Sequence, residues 1–576
     1  MHTRVHHQAP RSLRLAIGVV AVLLGAVLAV RPFSSLAVLV VLVVTGLVVV
    51  GVGELTGQSR WGLLRAVVAA GAALAIVVWP GVTVRVLALV LAVALVVGGV
   101  LDVVQARGVT GTARVNAVVG GATAIVLGVL ALAWPDVSVL VVAVVFAVRL
   151  VIVGVREIVA AVRGRDADLG RLSLRRRAPR GGPWRLTGTV LGALVAVALV
   201  AVSLTLQRGV PVPDAFYDPP DDVPSAPGQL LRSEPFTSDE IPAGATAWRI
   251  LYTTTRDEDR PAIASGLVVA PASSVPVPVV AWAHGTTGVA SGCAPSVLTD
   301  GLAAGAMYVQ DDVLAQGWAM VATDYTGLGT HGPHPYLVGQ GEGRSVLDAV
   351  RAARQLTDVE LADRTVVWGH SQGGHAALWA GMLAPSYAPE VELDGVAALA
   401  PASNLPALVD VVGTVGVGPL FASYVADAYT AEYADLRFDQ VVRPGARIIV
   451  QETAQRCLAE PGVLVSALTS VALDKPIWNG DPSSGVFLDR LLENAPSGRI
   501  DAPLLVAQGA DDTLVTPAGQ QAYVDDRCAA GYAVDHRTYA GRGHVPLVEA
   551  DSPLVPQLLT WTADRFAGEA PTDTCP

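Results

Sequence analysis

The chain has 576 residues, too many for one ordinary domain, so two or more are expected. Hydrophobic residues make up 52% and charged residues only 15%, with a mean hydropathy of +0.50, which excludes a wholly soluble enzyme and a disordered chain. The net charge of −11 hides a split: residues 1–208 carry 20 arginines and 6 acidic residues, and the rest carries 19 basic and 44 acidic ones. The arginines lie between apolar runs and not on a folded basic patch, which argues against nucleic acid as a partner.

Apolar runs with almost no charge cover residues 15–30, 34–53, 62–79, 82–101, 115–134, 137–155 and 187–206. Each approaches the ~20 residues a helix needs to cross the hydrocarbon of a bilayer. The first follows Arg4, Arg11 and Arg14 and reads as a signal anchor, because further helices come after it. Arginine placement sets the orientation. Arg60 and Arg65 follow the second run, and Arg107 and Arg114 the fourth. Arg163, Arg165, Arg171, Arg175, Arg176, Arg177, Arg180 and Arg185 lie between the sixth and seventh. The alternate loops are short proline turns at Pro32, Pro80 and Pro135. The arginine-rich side, with the N-terminus, is therefore expected in the cytoplasm, and everything after Arg208 outside it.

This half repeats. Nineteen residues beyond each of those prolines stands a glycine (Gly51, Gly99, Gly154), and three further on an acid (Glu54, Asp102, Glu157). Glycine and acid share a helix face, and small residues let helices approach closely. The expectation is an all-α polytopic membrane domain, six helices in three hairpins plus a seventh. The pattern resembles the short-repeat membrane domain of the HdeD acid-resistance family over roughly residues 12–162. That resemblance implies membrane residence and a link to stress, and no defined chemistry. The boundaries are then 1–162 for the repeats, 163–185 for an arginine-rich cytoplasmic loop and 186–208 for the seventh helix.

Residues 209–227 hold Pro211, Pro213, Pro219, Pro220, Pro224 and Pro227 among four aspartates, and read as a stiff, extended, solvated linker. From residue 228 onward the pattern changes. Strands are expected at 246–254, 262–270, 277–283, 317–323, 365–370, 395–400, 503–508 and 534–539. Helices are expected at 302–316, 343–357, 373–384 and 553–566. Alternation of the two in the later part implies a mostly parallel sheet covered on both faces.

Chemistry gathers at the strand ends. The strand 365–370 runs straight into Gly369-His370-Ser371-Gln372-Gly373 and then an alanine-rich helix. This is the pattern of a nucleophile elbow, in which Gly369 and Gly373 keep the turn tight and Ser371 is held exposed at a helix N-terminus. A serine nucleophile needs a base, and the base an orienting acid. Strand 503–508 is followed by Asp511 and Asp512, and Asp512 is the better placed of the two. Strand 534–539 leads to His544 in a glycine loop, completing the order Ser, Asp, His. His370 and His375 read as packing or pocket residues. An oxyanion needs two donors. The backbone N–H of Gln372 is one, and that of Thr286 in His284-Gly285-Thr286-Thr287-Gly288 the other, with Gly285 as an alternative.

These motifs together look like an α/β-hydrolase. More narrowly, A-W-A-H-G-T-T-G-V-A-S-G-C-A-P-S (281–296), D-Y-T-G-L-G (324–329), S-V-L-D-A-V-R-A-A (345–353) and G-H-S-Q-G-G (369–374) resemble the secretory lipase family of bacteria and fungi, over about 228–570. The resemblance implies a serine esterase acting on acyl esters, lipids above all, through Ser371, Asp512 and His544. It departs from the family in its membrane anchor. Residues 404–495, with apolar stretches at 405–428 and 461–473, are read as a helical cap over an acyl pocket. Cys293, Cys457, Cys528 and Cys575 all lie in the outer half and suggest two disulfides outside the membrane. Three pairings are possible, and chain position with the family resemblance favours Cys293–Cys457 and Cys528–Cys575.

The expectation is thus a multi-pass cell-membrane protein whose extracytoplasmic hydrolase domain, 228–576, cleaves acyl esters. It implies a lipid bilayer and an ester substrate as partners, with no metal, no cofactor and no nucleic acid. Two alternatives use the same sequence: an acyltransferase with the same triad, and a membrane acid-stress protein carrying the hydrolase as a passenger.

Overall fold

The computed structural model describes residues 11–30, 62–78, 84–163, 183–207, 211–305, 307, 309–413, 416–473 and 475–576. The chain divides into two compact units. One comprises residues 1–208 with 444–449 and 467–476, and the other comprises the remainder.

The first unit is helical: α1 (Arg11–Val30), α2 (Gly62–Val78), α3 (Val84–Gln105), α4 (Thr112–Ala133), α5 (Pro135–Arg163) and α6 (Pro183–Gln207). The expected helix at 34–53, with Gly51 and Glu54, lies outside the described residues, as do Pro32, Pro80 and most of the arginine-rich loop. Among the described residues, α4 and the stretch Leu186–Leu206 of α6 are long and apolar enough to cross a bilayer, with mean hydropathies of 2.2 and 2.5.

Two of the repeated glycines, Gly99 and Gly154, are packing sites. Gly99 of α3 lies against the backbone of Gly121 in α4, and seven residues away Gly128 lies against Ala92. Gly154 of α5 meets Gly18 of α1 in the same way, and Gly25 meets Ala147. Both pairs are antiparallel, since the partner numbers run in opposite directions. A side chain at any of these glycines would strike the facing backbone, so close approach depends on their smallness. These contacts join helices from different hairpins: the turn at Trp134-Pro135 connects α4 to α5, yet α4 packs on α3 and α5 on α1. The same turn is tied to α6, where Trp134 Nε1–H donates to Ser203 Oγ at 2.8 Å.

The second unit is built on one nine-stranded sheet. Its strands are β1 (Leu230–Phe236), β2 (Ala245–Thr255), β3 (Pro261–Pro271), β4 (Val277–Ala283), β5 (Ala319–Thr326), β6 (Leu361–His370), β7 (Leu393–Leu399), β8 (Leu504–Gly509) and β9 (Asp535–Tyr539). Their order is β1-β2-β3-β5-β4-β6-β7-β8-β9. Pairings from β1 through β3 to β5 are antiparallel, and all later ones are parallel. The central strands are apolar on both sides because both faces are covered. On one face Val279, Ala281 and Val367 pack under α7 (Gly339–Ala353) and α8 (Gln372–Tyr387). On the other, Trp282 and Trp368 pack with a helix at Leu554–Ala567. Between β7 and β8 lies the helical insertion, including helices Leu405–Val412, Gly418–Glu432 and Gly485–Glu493.

Three expectations change. The edge strand β1 was not anticipated, because Arg232 and Pro235 break its apolar pattern; proline is tolerated at a sheet edge. The helix expected at 302–316 is two short ones, Gly301–Ala304 and Gln310–Ala315, interrupted after Gly305, and that at 405–428 divides at Gly413. The linker is not solvated throughout. Residues 215–217 form a 3-10 turn capped by Asp214, and Phe216 and Tyr217 are buried at 4% and 3% exposure. The guanidinium of Arg249 stacks over the Phe216 ring at 4.3 Å and pairs with Asp214 at 2.9 Å. Residues 214–217 therefore belong to the second unit and are not a free spacer. Replacing Phe216 by Ala removes a buried ring and should cost about 3 kcal/mol, read as a lowered melting temperature of the full-length protein in detergent.

Candidate active site

The parallel strands end at one edge of the sheet, and the loops beyond them carry the polar groups. β6 delivers Ser371 and α8 starts at the next residue. Ser371 has φ +60° and ψ −117°, a region L-residues rarely occupy. Glycine neighbours permit it. A side chain on Gly369 would collide with the carbonyl of Gly373, and one on Gly373 with that of Ala283. The turn is held by the Ser371 N–H, which donates to Leu399 O at 2.9 Å.

Ser371, His544 and Asp512, 173 and 32 residues apart, meet in one chain of hydrogen bonds. Ser371 Oγ lies 2.8 Å from His544 Nε2, and His544 Nδ1 lies 2.7 Å from Asp512 Oδ2. Asp512 is buried, and its other oxygen accepts the N–H groups of Leu514 and Val515 at 2.8 and 2.9 Å. Asp511, the alternative acid, is exposed. His370 Nε2–H donates to the carbonyl of His544 at 3.0 Å, and the two rings lie 4.8 Å apart. Burial, then the nearby His544, pushes the His370 imidazole down to about 3, so it stays neutral beside the base.

Gln372 follows the serine and is buried. Thr286 lies in the loop after β4, with its hydroxyl 2.9 Å from Tyr336 OH. That loop is tied to the helical insertion: Leu458 N–H donates to Thr287 O at 2.8 Å, and Cys293 is bonded to Cys457 across 164 residues. Cys528 is bonded to Cys575. A small cavity opens on Ser371 and Gln372, with apolar walls of Leu408, Val412, Phe421 and Val425 from the insertion and Leu514 and Val515 from the loop after β8.

Sequence reasoning missed the polar groups beneath these loops. Glu342, His334 and Tyr336 approach Gln372 and Thr286, while Asp324 accepts hydrogen bonds from Ser265 and Ser296. Tyr217 OH reaches Ser296 O at 2.9 Å, so the docked segment touches the same network. The D-Y-T-G-L-G block contained Asp324, but its spacing assigned it no role.

Comparison with known proteins follows this geometry. Residues 296–574 match the secretory lipase family. Residues 64–122 and 119–201 match a short repeat of unknown function. A protein of Mycobacterium tuberculosis described as a probable inactive lipase is 28% identical over 64% of this chain and 86% of its own length. Lipase 5 of Candida albicans is 27% identical over 63% and 83%, and a secreted triacylglycerol lipase of Malassezia globosa 27% over 67% and 89%. The closed-state structure of Candida antarctica lipase A superposes with a TM-score of 0.51 at 21% identity, covering 63% of this chain and 87% of that one, a likeness of fold. The family match and these relatives support a carboxylic ester hydrolase.

Asp324 supplies a pH prediction. Burial pushes its carboxyl up to about 6, against the hydrogen bonds of Ser265 and Ser296. Between about 4 and 6 the folded protein keeps a proton that the unfolded chain has lost, so stability falls as pH rises through that window and then levels. The melting temperature of the wild type, measured relative to Asp324→Asn, should fall across this interval and not beyond it.

Proposed function

We propose that the chain is a membrane-anchored serine hydrolase that cleaves acyl esters of lipids, with triacylglycerol as the substrate class its relatives suggest. The observation that carries the reading is the unbroken hydrogen-bond chain from Ser371 Oγ through His544 to Asp512. Ser371 Oγ attacks the ester carbonyl carbon while His544 Nε2 takes its proton, and Asp512 holds the imidazole by Nδ1–H and favours the imidazolium. The oxyanion is held by the backbone N–H groups of Gln372 and Thr286. His544 returns the proton to the departing alcohol, then takes one from water as that water attacks the acyl-enzyme, and gives it to Ser371 Oγ as the acyl–Oγ bond breaks and the carboxylic acid leaves. The acyl chain occupies the cavity walled by Leu408, Val412, Phe421 and Val425, under the insertion acting as cap.

The helical repeats anchor this domain as a multi-pass segment, with the arginine-rich loops and N-terminus in the cytoplasm and the hydrolase outside. The short-repeat match, the two apolar helices and two disulfides in the outer half support that arrangement.

A series of nitrophenyl esters of increasing acyl length, assayed on the full-length protein in detergent, tests the reading. Ser371→Ala should abolish turnover while leaving the melting temperature unchanged, and Asp512→Asn should lower kcat by about 10⁴-fold. Turnover retained in Ser371→Ala would remove the mechanism. An inactive wild type would place this chain with the relative described as inactive.

A further inference from the structure

We infer that one short segment, residues 334–342, positions both oxyanion donors: Glu342 and His334 through the side chain of Gln372, and Tyr336 through that of Thr286. The inference rests on the donor assignment proposed above.

The two donors come from distant parts of the chain, one after β4 and one after β6. Nothing in their own sequence fixes the angle between them. Segment 334–342, which leads into α7, touches both. The Gln372 amide has two hydrogens, and both are used: Nε2 lies 2.8 Å from Glu342 Oε1 and 2.8 Å from His334 Nε2. His334 can accept there only as a neutral ring protonated on Nδ1, and Nδ1 faces the carbonyl of Thr326 at 3.1 Å. Glu342 is itself fixed, by Leu337 N–H at 2.9 Å and by His375 Nδ1 at 2.8 Å. His375 Nε2 continues to Asn494 O at 2.8 Å. Every member of this set is buried, the residues that supply its backbone partners included. The Gln372 side-chain Oε1, by contrast, has no hydrogen-bond partner among the described residues. The amide is therefore oriented by its two acceptors.

The second arm is simpler. Tyr336 OH meets Thr286 Oγ1 at 2.9 Å, and the Tyr336 ring is held between His334 and Tyr424, with centroids 6.2 and 6.0 Å away. Oxyanion donors act on the transition state only when they are aimed where charge develops, and a small displacement is expensive in rate. Glu342, His334 and Tyr336 are accordingly positioning residues. Burial pushes the His334 imidazole down to about 3, which keeps it in the accepting form.

Gln372→Ala keeps the backbone N–H and removes only the tether; Tyr336→Phe removes only the hydroxyl. Both are assayed in the full-length protein with nitrophenyl butyrate, with rates referred to sites titrated by a fluorophosphonate so that misfolded protein is not counted. Each variant should lower kcat by about tenfold and weaken inhibition by an alkyl boronic acid, a tetrahedral mimic, in step, with KM held within about twofold. A packing defect would not couple kcat to boronate affinity at constant KM. If kcat is unchanged in either variant, or the loss falls on KM, the inference is overturned. Ser371→Ala, which a fluorophosphonate cannot titrate and whose rate is referred to total folded protein, separates the two levels: a dead Ser371→Ala beside unaffected Tyr336→Phe and Gln372→Ala sinks only this inference, whereas an active Ser371→Ala sinks the mechanism beneath it.

Discussion

Everything at the candidate site depends on the backbone of Ser371. At φ +60° a serine is held against its own preference, and only the surrounding fold can keep it there. A strand pulling from one side and a helix starting on the other leave the residue no room to relax. The glycines at 369 and 373 and the closeness of Ala283 are conditions for that turn. Because the turn is rigid, the Oγ points away from the sheet, and the imidazole and carboxyl from two later loops can be brought to it. Strain at one residue is thus converted into fixed geometry among three.

A second layer of constraint lies beneath the loops. Asp324 with Ser265 and Ser296, and Gln372 and His375 with Glu342 and His334, are buried polar sets whose members hydrogen-bond to one another. Such sets are costly when incomplete, so they specify one arrangement. Around them the insertion is tied to the β4 loop by a hydrogen bond from Leu458 and by the Cys293–Cys457 bond. The helical unit uses a different means to the same end. There, with little polar chemistry available, glycine and alanine spaced seven apart bring backbones together, once between α1 and α5 and again between α3 and α4.

Local signals made much of this legible. The eight anticipated strands were apolar runs bounded by turn residues, and the structure places each within a few residues. The meeting of Ser371, Asp512 and His544 could be anticipated because each follows a strand end and their order along the chain is that of a serine, acid and base. Other features were hidden for physical reasons. β1 carries Arg232, Glu234 and Pro235, which a one-sided edge strand accepts but a periodicity test rejects. Residues 211–218 look like a spacer because proline and aspartate dominate, yet two aromatic rings among them decide their fate. Glu342 sits in G-Q-G-E-G-R, where a charge normally means a solvated helix end. Its burial follows from what α8 presents to it, and that is tertiary information.

The docked aromatic pair has a consequence for proteolysis. Residues 221–226, early in the second unit's sequence, are all exposed and make an obvious protease target. A cut there would break the chain on the far side of Phe216 and Tyr217. The clipped product would stay fastened through those rings, and through Tyr217 to Ser296, without any peptide bond. Nicking and liberation would therefore be separate events for this enzyme.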